Sequence, residues 1–241
     1  MTANGAIWCT SDQINGGRSF FDQAVVSAKS FKRENPNAGT AIFRDEESLY
    51  DDIFDYHFLV HNDQTERKWT QQYRHDRSNK KKITNLKVWC SERTPFEKTI
   101  HLDADTFVLG NLDEVYEKLD SYGVLFTYSD WTKKDAHGRN IGCQALTRTD
   151  AVNSGVYAFR NNQACLRLLG STWRETIDEK KIGEQAVLQL YIHNPEEYLS
   201  GIKWMMLDNV IYNATRRMWR PMSEFGLWDE AKILHFNRHD V

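Results

Sequence analysis

The stretch Ile100-His101-Leu102-Asp103-Ala104-Asp105-Thr106-Phe107-Val108-Leu109 carries two carboxylates out of an otherwise apolar run. Thr99, Ile100 and Leu102 favour extended structure, so Asp103 and Asp105 project from the same side of a strand end or of the turn that follows it. Like charges that close need a partner. A divalent cation is one, and an oxygen-rich site with few protein ligands suits Mg or Mn, which keep coordination positions open for substrate phosphates. The alternative is that one Asp caps the next element and the other lies in solvent. This stretch alone leaves both open.

Upstream, Ala6-Ile7-Trp8-Cys9 reads as a short buried strand followed by the polar turn from Thr10 to Gly17. Phe20, Phe21, Ala24, Val25, Ala28 and Phe31 then recur at helical spacing, up to the breaker Asn35-Pro36-Asn37. Thr40 to Phe43 and Tyr56 to Val60 are the next strands, with a short helix from Ser48 to Ile53 between them. Strands that alternate with helices imply a mainly parallel sheet covered on both faces, and in such sheets ligands bind beyond the carboxyl ends of the strands. The Thr10 loop and the aspartate pair both belong at that edge. The basic segment from Arg67 to Lys87, with Arg74, Arg77, Lys80, Lys81 and Lys82, predicts a helix running on to Cys90, its charges mostly solvated.

Downstream, Leu112, Val115, Tyr116 and Leu119 mark an amphipathic helix, Val124 to Tyr128 a strand, and residues 129–150 a polar, substrate-facing excursion. Residues 151–159 form a strand in which Gly155 either lets a ligand come close or makes a bulge, while Asn153 and Ser154 supply hydrogen-bonding groups. Two helices follow, Gln163 to Ile177 and one opening at Gly183-Glu184-Gln185 and ending at Asn194-Pro195. The aromatic-rich part from Tyr198 to Trp228 has weak periodicity and reads as an irregular subdomain, before a short strand from Lys232 to Phe236 presents His235.

Composition bounds the rest. With 40% hydrophobic and 27% charged residues and only 4 Pro among 241, the chain is that of a globular protein with a substantial core. A net charge of -3 gives no general attraction to nucleic acid, and no apolar run is long enough to span a bilayer. The start has no basic segment leading into an apolar one, so a cytoplasmic protein is expected. Cys9, Cys90, Cys143 and Cys165 are far apart, without a CxxC pair, and are expected to be reduced, mostly buried thiols. Among the 8 Trp, Trp204, Trp219 and Trp228 are candidates for a sugar platform, though core packing explains them equally well.

Taken in order, these pieces resemble the metal-dependent glycosyltransferases of GT-A fold, and among them the glycogenin-like family. The strand, the loop Thr10-Ser11-Asp12 and the helix from Gln23 to Lys29 are similar to that family's uridine-binding entrance. Lys87 precedes Asp103 by the spacing of its nucleotide-side lysine, and Leu102 to Asp113 is similar to its aspartate motif. Asp150, Asn153-Ser154-Gly155-Val156, Glu184-Gln185, Tyr212-Asn213 and His235-Phe236 repeat its order over nearly the whole chain. The resemblance implies an α/β fold of GT-A, Rossmann-like type, a mixed but mainly parallel sheet flanked by helices. It implies one domain over 1–241, with 1–110 as the nucleotide-binding half and 111–241 as the sugar and acceptor half.

The implied activity is transfer of a hexose or deoxyhexose from a UDP-sugar to a glycan or glycoprotein acceptor, with retention and with no nucleic-acid partner. Asp103, Asp105 and His235 would hold Mn, or Mg in its place; Thr10, Ser11, Asp12, Lys87, Ala104, Asn153, Ser154, Gly155 and Arg238 would bind the nucleotide sugar; Asp150, Glu184 and Gln185 would act at the reacting centre. Two departures stand out. The family follows its histidine with Gly and later Lys-Pro-Trp, where this chain reads Asn237-Arg238-His239-Asp240-Val241, so either Arg238 takes the lysine's role or the chain belongs to a longer protein. Glu184 also replaces the usual Asp. In its small, anchorless form, a likeness of form and not of motif, the chain is similar to glycosyltransferase domains of large algal viruses, which would place it in a host cytoplasm. Leu102 to Thr106 also resembles the phosphatase motif of the haloacid dehalogenase superfamily, in which Asp103 would be a nucleophile. A nucleotide-sugar or glycan-binding module without turnover is the third reading.

Overall fold

A computed structural model describes residues 3–10, 14–15, 18–44, 50–60, 87, 90–129, 132–134, 140–143, 151–180, 182 and 184–236. The first unit is a strand β1 (Asn4–Thr10), a helix α1 (Phe20–Glu34) and a second strand β2 (Gly39–Arg44), with β3 (Tyr56–Leu59) next. β1 and β2 are buried along almost their whole length, which is why they read as continuous apolar runs without alternation. Helix α1 has clear boundaries. Ser19 caps it by accepting from the backbone N–H groups of Phe21 and Asp22, Asp22 complements the N-terminus, and Lys32 and Arg33 complement the last turn before Asn35-Pro36.

β4 (Lys98–Leu102) returns to lie on the other side of β1, followed by β5 (Thr106–Val108), the helix α2 (Asp113–Ser121), β6 (Val124–Tyr128) and β7 (Val152–Arg160). A long helix α3 spans 163–180 with a π-turn at Leu168–Thr172, and α4 (Glu184–His193) follows. β8 (Trp204–Leu207), β9 (Ala214–Thr215) and β10 (Ile233–His235) complete the strands used below. The central sheet has seven strands in the order β8-β6-β7-β4-β1-β2-β3. All neighbours are parallel except β7, which runs antiparallel to both β4 and β6. The expected mixed, mainly parallel sheet is the one observed.

Strand order reverses between β1 and β4, and a crevice outside the carboxyl ends at such a switch point is where open α/β sheets bind ligands. Thr10 ends β1 and Asp103 directly follows β4, so both lie at that crevice. A small sheet, β9-β10-β5, then folds over the edge. Its antiparallel pairing sets His235 opposite Thr106, one residue from Asp105, and so brings two distant parts of the chain together.

The two faces of the sheet carry separate cores. One gathers Trp8, Phe31, Tyr116 and Leu102 under α1 and α2; the other gathers Phe43, Phe159, Trp173 and Tyr191 under α3 and α4. At the amino ends of β1 and β2, Gly5 and Gly39 sit side by side and the fully buried Phe96 ring lies on them. A Cβ at either position would come within 2.4 Å of that ring. Phe96→Ala would therefore leave a cavity and lose about 3–5 kcal/mol, read as a lower denaturation midpoint. Gly5→Ala would overpack the same place at about 1–3 kcal/mol.

Two sequence expectations change. The described part of the proposed helix from Ser48 to Ile53 is a turn, in which the Ile53 N–H donates to Asp51 Oδ1 at 3.0 Å; Ser48 and Leu49 lie outside the described residues. The region from Tyr198 to Trp228 is not wholly irregular, because Trp204–Leu207 joins the main sheet as an edge strand parallel to β6. Its run Trp204-Met205-Met206-Leu207 has neither alternation nor a β-branched residue to announce it. Cys9, Cys90 and Cys165 are buried free thiols, as expected, and the Cys143 side chain lies outside the description. Among the described residues no helix is long and apolar enough to cross a membrane.

Candidate metal and nucleotide site

Asp103 leaves β4 with its N–H donating to the Gly155 carbonyl of β7 at 2.8 Å. The chain then turns, and the Thr106 hydroxyl and N–H both donate to the Asp103 carbonyl, at 2.8 and 3.1 Å. This turn, and not the strand itself, converges the two carboxylates. A buried chain of hydroxyls holds it from behind: the Trp8 indole N–H donates to Ser27 Oγ at 2.9 Å, and Ser27 Oγ lies 2.8 Å from Thr106 Oγ1. Asp105 is tied to the small sheet, its carbonyl accepting from the Phe236 N–H at 2.8 Å.

Asp103, Asp105 and His235 place one ligand atom each within 4.8 Å of one another. His235 Nε2 lies 3.2 Å from Asp105 Oδ1 and 3.8 Å from Asp103 Oδ2. The other ring nitrogen, Nδ1, is 2.8 Å from Asn213 Oδ1, and Asn213 donates its Nδ2 to the Tyr128 carbonyl at 3.2 Å, which fixes the amide's orientation. His235 therefore donates from Nδ1. In the neutral ring this turns the Nε2 lone pair toward two carboxylates, an arrangement that only a cation there relieves, either a proton or a metal. Burial by itself pushes the His235 pKa down, but the Asp105 carboxylate outweighs it and the pKa stands raised.

Asp103 is also gripped from below. Lys87 Nζ lies 2.6 Å from Oδ1 and 2.9 Å from Oδ2, and His101 Nε2 lies 3.3 Å from Oδ1. Burial raises the Asp103 pKa, yet the Lys87 ammonium and His101 draw it well below the usual carboxylate range. Burial pushes His101 itself down, which keeps that ring neutral.

Gly155 shapes the remaining side. A Cβ there would stand 2.3 Å from His235 Cε1, 2.8 Å from Asp103 Oδ2 and 2.9 Å from Asn153 Oδ1. The pairing of β7 with β6 also shifts register between Asn153 and Tyr157, so the glycine sits in an irregular stretch of the strand with the His235 and Asp103 side chains close against it. Two carboxylate oxygens and one imidazole nitrogen, converging where a glycine leaves room, fit a divalent cation with open coordination positions.

The other sequence candidates divide. Thr10 is fully buried at the end of β1, and its hydroxyl has no partner among the described residues. Ala104 lies within the turn, and Asn153 and Ser154 are buried on β7, with Asn153 Oδ1 accepting from the Gly155 N–H at 2.6 Å. Gln185 is exposed in the first turn of α4, one turn before Gln189, whose Oε1 accepts from the Val152 N–H at the start of β7. Ser11, Asp12, Asp150 and Arg238 lie outside the described residues, as does the side chain of Glu184. Trp219 meets Trp228 and Phe236 at centroid distances of 5.9 and 5.1 Å, whereas Trp204 packs in the other core beside α3 and α4, so the three tryptophans do not form one surface. His101, Ser27 and Gln189 carried no sequence role, and Asn213 had a place in the marker order without one.

No family model matches the chain, and no curated protein matches it. Solved structures do. The galactosyltransferase LgtC, in complex with donor and acceptor sugar analogs, superposes with a TM-score of 0.60 at 11% identity over 96% of this chain and 86% of its own. This chain has the GT-A fold. Mouse xyloside xylosyltransferase 1 is similar at a TM-score of 0.56 and 13% identity, over 99% of both chains. The glycosyltransferase GlyE of Streptococcus pneumoniae TIGR4 is similar at 0.57 and 14%, over 98% of this chain, which spans only 56% of GlyE.

Proposed function

We propose that the protein is a Mn-dependent, retaining glycosyltransferase that moves a hexose or deoxyhexose from a UDP-sugar to a glycan or glycoprotein acceptor. The observation that carries the reading is the Asp103, Asp105 and His235 cluster at the switch point of a GT-A sheet. In sugar transfer the leaving group is a nucleotide diphosphate, so catalysis rests on stabilising negative charge as the bond from sugar to phosphate breaks. Asp103, Asp105 and His235 would hold the metal, which supplies Lewis acidity to the departing diphosphate. The imidazole in the set favours Mn over Mg.

The chain's own groups do the rest. Lys87, held on Asp103, carries a fixed positive charge to the phosphate side, and Arg238 is the second candidate there. Thr10, Ser11 and Asp12 are assigned to the uridine, and Ala104 and Gly155 to close backbone approach. Asn153 and Ser154, with Asp150, Glu184 and Gln185, are assigned to the sugar and the acceptor hydroxyl. Residues 1–110 thus serve the nucleotide and 111–241 the sugar and acceptor.

Release of UDP from a panel of UDP-hexoses tests this reading. Turnover of at least one donor, supported by Mn and stopped by a chelator, is expected. Tight UDP binding without turnover of any donor, with acceptors present, would make the protein a binding module instead.

The proton and the metal compete for His235 Nε2, which gives a pH prediction. Without metal, the raised pKa means that protonated His235 contributes stability fully below its unfolded value of about 6.5, lost as pH rises through the folded value. Mn binds the neutral ring and so must displace the proton at and below that value. Mn affinity should therefore fall as pH is lowered through the raised value, and below it close to one proton should be displaced per ion. Titrations in buffers of different ionisation enthalpy would count that proton.

A further inference from the structure

His101 is wholly buried in β4, directly opposite Tyr157 of the antiparallel β7. The two rings stack, with centroids 4.6 Å apart and planes at 14°. Tyr157 is itself held on the far side by the edge of Trp173, at 5.9 Å and 75°. Its hydroxyl lies 2.8 Å from Ser91 Oγ, which donates to the Lys87 carbonyl at 3.1 Å. One aromatic pillar thus braces both groups that grip Asp103.

The surroundings of His101 are those of an aromatic core position, and by packing alone a phenylalanine would serve there. The neutral ring has a single N–H. Since a carboxylate only accepts, the proton belongs on Nε2, facing Asp103 Oδ1. Nδ1 is then a buried acceptor without a partner among the described residues. An unpaired buried acceptor is a net loss to folding that a phenylalanine in the same stack would not carry. What the histidine supplies is the bond from Nε2.

That bond divides the Asp103 carboxylate between two tasks. Oδ1 receives His101 and the shorter Lys87 contact, while Oδ2 keeps the longer Lys87 contact at 2.9 Å. Oδ2 looks toward His235 and the space opened by Gly155, where Asp105 also points. We infer that His101 is a positioning residue for the metal site: it holds Asp103 by Oδ1 so that Oδ2 is presented to the divalent cation together with Asp105 and His235. The inference rests on the metal-site reading above.

Two variants remove the donor. His101→Phe keeps the stack on Tyr157, and His101→Leu, close to histidine in volume and smaller than phenylalanine, limits overpacking. His101→Gln keeps an N–H at similar reach. Binding is read from the free Mn(II) resonance during titration with UDP present, and stability from thermal denaturation. The expected result is a Kd for Mn raised about 10- to 100-fold in His101→Phe and His101→Leu, and largely restored in His101→Gln. The melting temperature of His101→Phe should fall only modestly, since the stack on Tyr157 and the Lys87 contact remain, so that the larger loss appears in Mn affinity. Equal Mn affinity in the unaltered protein and in either donor-less variant overturns the inference and leaves the metal site standing. Failure of both donor-less variants to fold makes His101 a core residue and also overturns it. If the unaltered protein takes up no Mn, the metal-site reading falls, and this inference with it.

Discussion

Gly155→Ala is expected to lower Mn affinity by at least about 100-fold in a protein that still folds. The added Cβ would stand 2.3 Å from His235 Cε1, nearer than any real contact allows, and 2.8 Å from Asp103 Oδ2. Neither group yields easily. His235 is buried, its ring is tethered through Nδ1 to Asn213, and its backbone lies in a three-stranded sheet; Asp103 is clamped by Lys87 and His101. One methyl group thus displaces two of the three ligands. The backbone must shift as well, because the Gly155 carbonyl accepts the Asp103 N–H. The accompanying loss of stability is about 1–3 kcal/mol. Mn titration and chemical denaturation of the same sample separate the two effects, and a variant that binds Mn as tightly as the original would show that the ion sits elsewhere.

Asp105→Asn should reduce turnover with a UDP-sugar by about a thousand-fold, the scale of losing a charged ligand from a metal that stabilises a leaving group. The amide is isosteric. The Asp105 carbonyl, which anchors Phe236, is unaltered, so the small sheet should keep its register. The variant also removes the larger of the two carboxylate charges that raise the His235 pKa. Its Mn affinity should therefore be weaker, with its pH dependence shifted to lower pH. Circular dichroism would confirm the fold, and undiminished metal-dependent UDP binding in this variant would make the aspartate pair structural.

The aspartate pair is legible in the sequence because two carboxylates two apart leave the end of an apolar strand, and because strand and helix alternate on either side of it, although the turn after β4 is what brings them together. The crevice at β1 and β4 follows from the same alternation. His235 is a different case. Nothing in its local sequence points to a ligand, and only its place in a colinear series of markers singles it out; physically, it reaches the site because β10 pairs antiparallel with β5. His101 escapes altogether. A lone buried histidine has no periodic signature, and its role depends on Tyr157, which faces it through the antiparallel insertion of β7. Trp204–Leu207 is hidden for another reason: an edge strand built of Trp, Met and Leu lacks both alternation and β-branching.

The central claim is that this GT-A sheet binds a nucleotide through a metal held by Asp103, Asp105 and His235. Calorimetric titration of UDP, with Mn and with chelator in its place, tests it most directly. Binding that appears only with Mn and disappears in Asp105→Asn is the predicted result. Binding of equal strength without metal, or no binding in either condition, would contradict it.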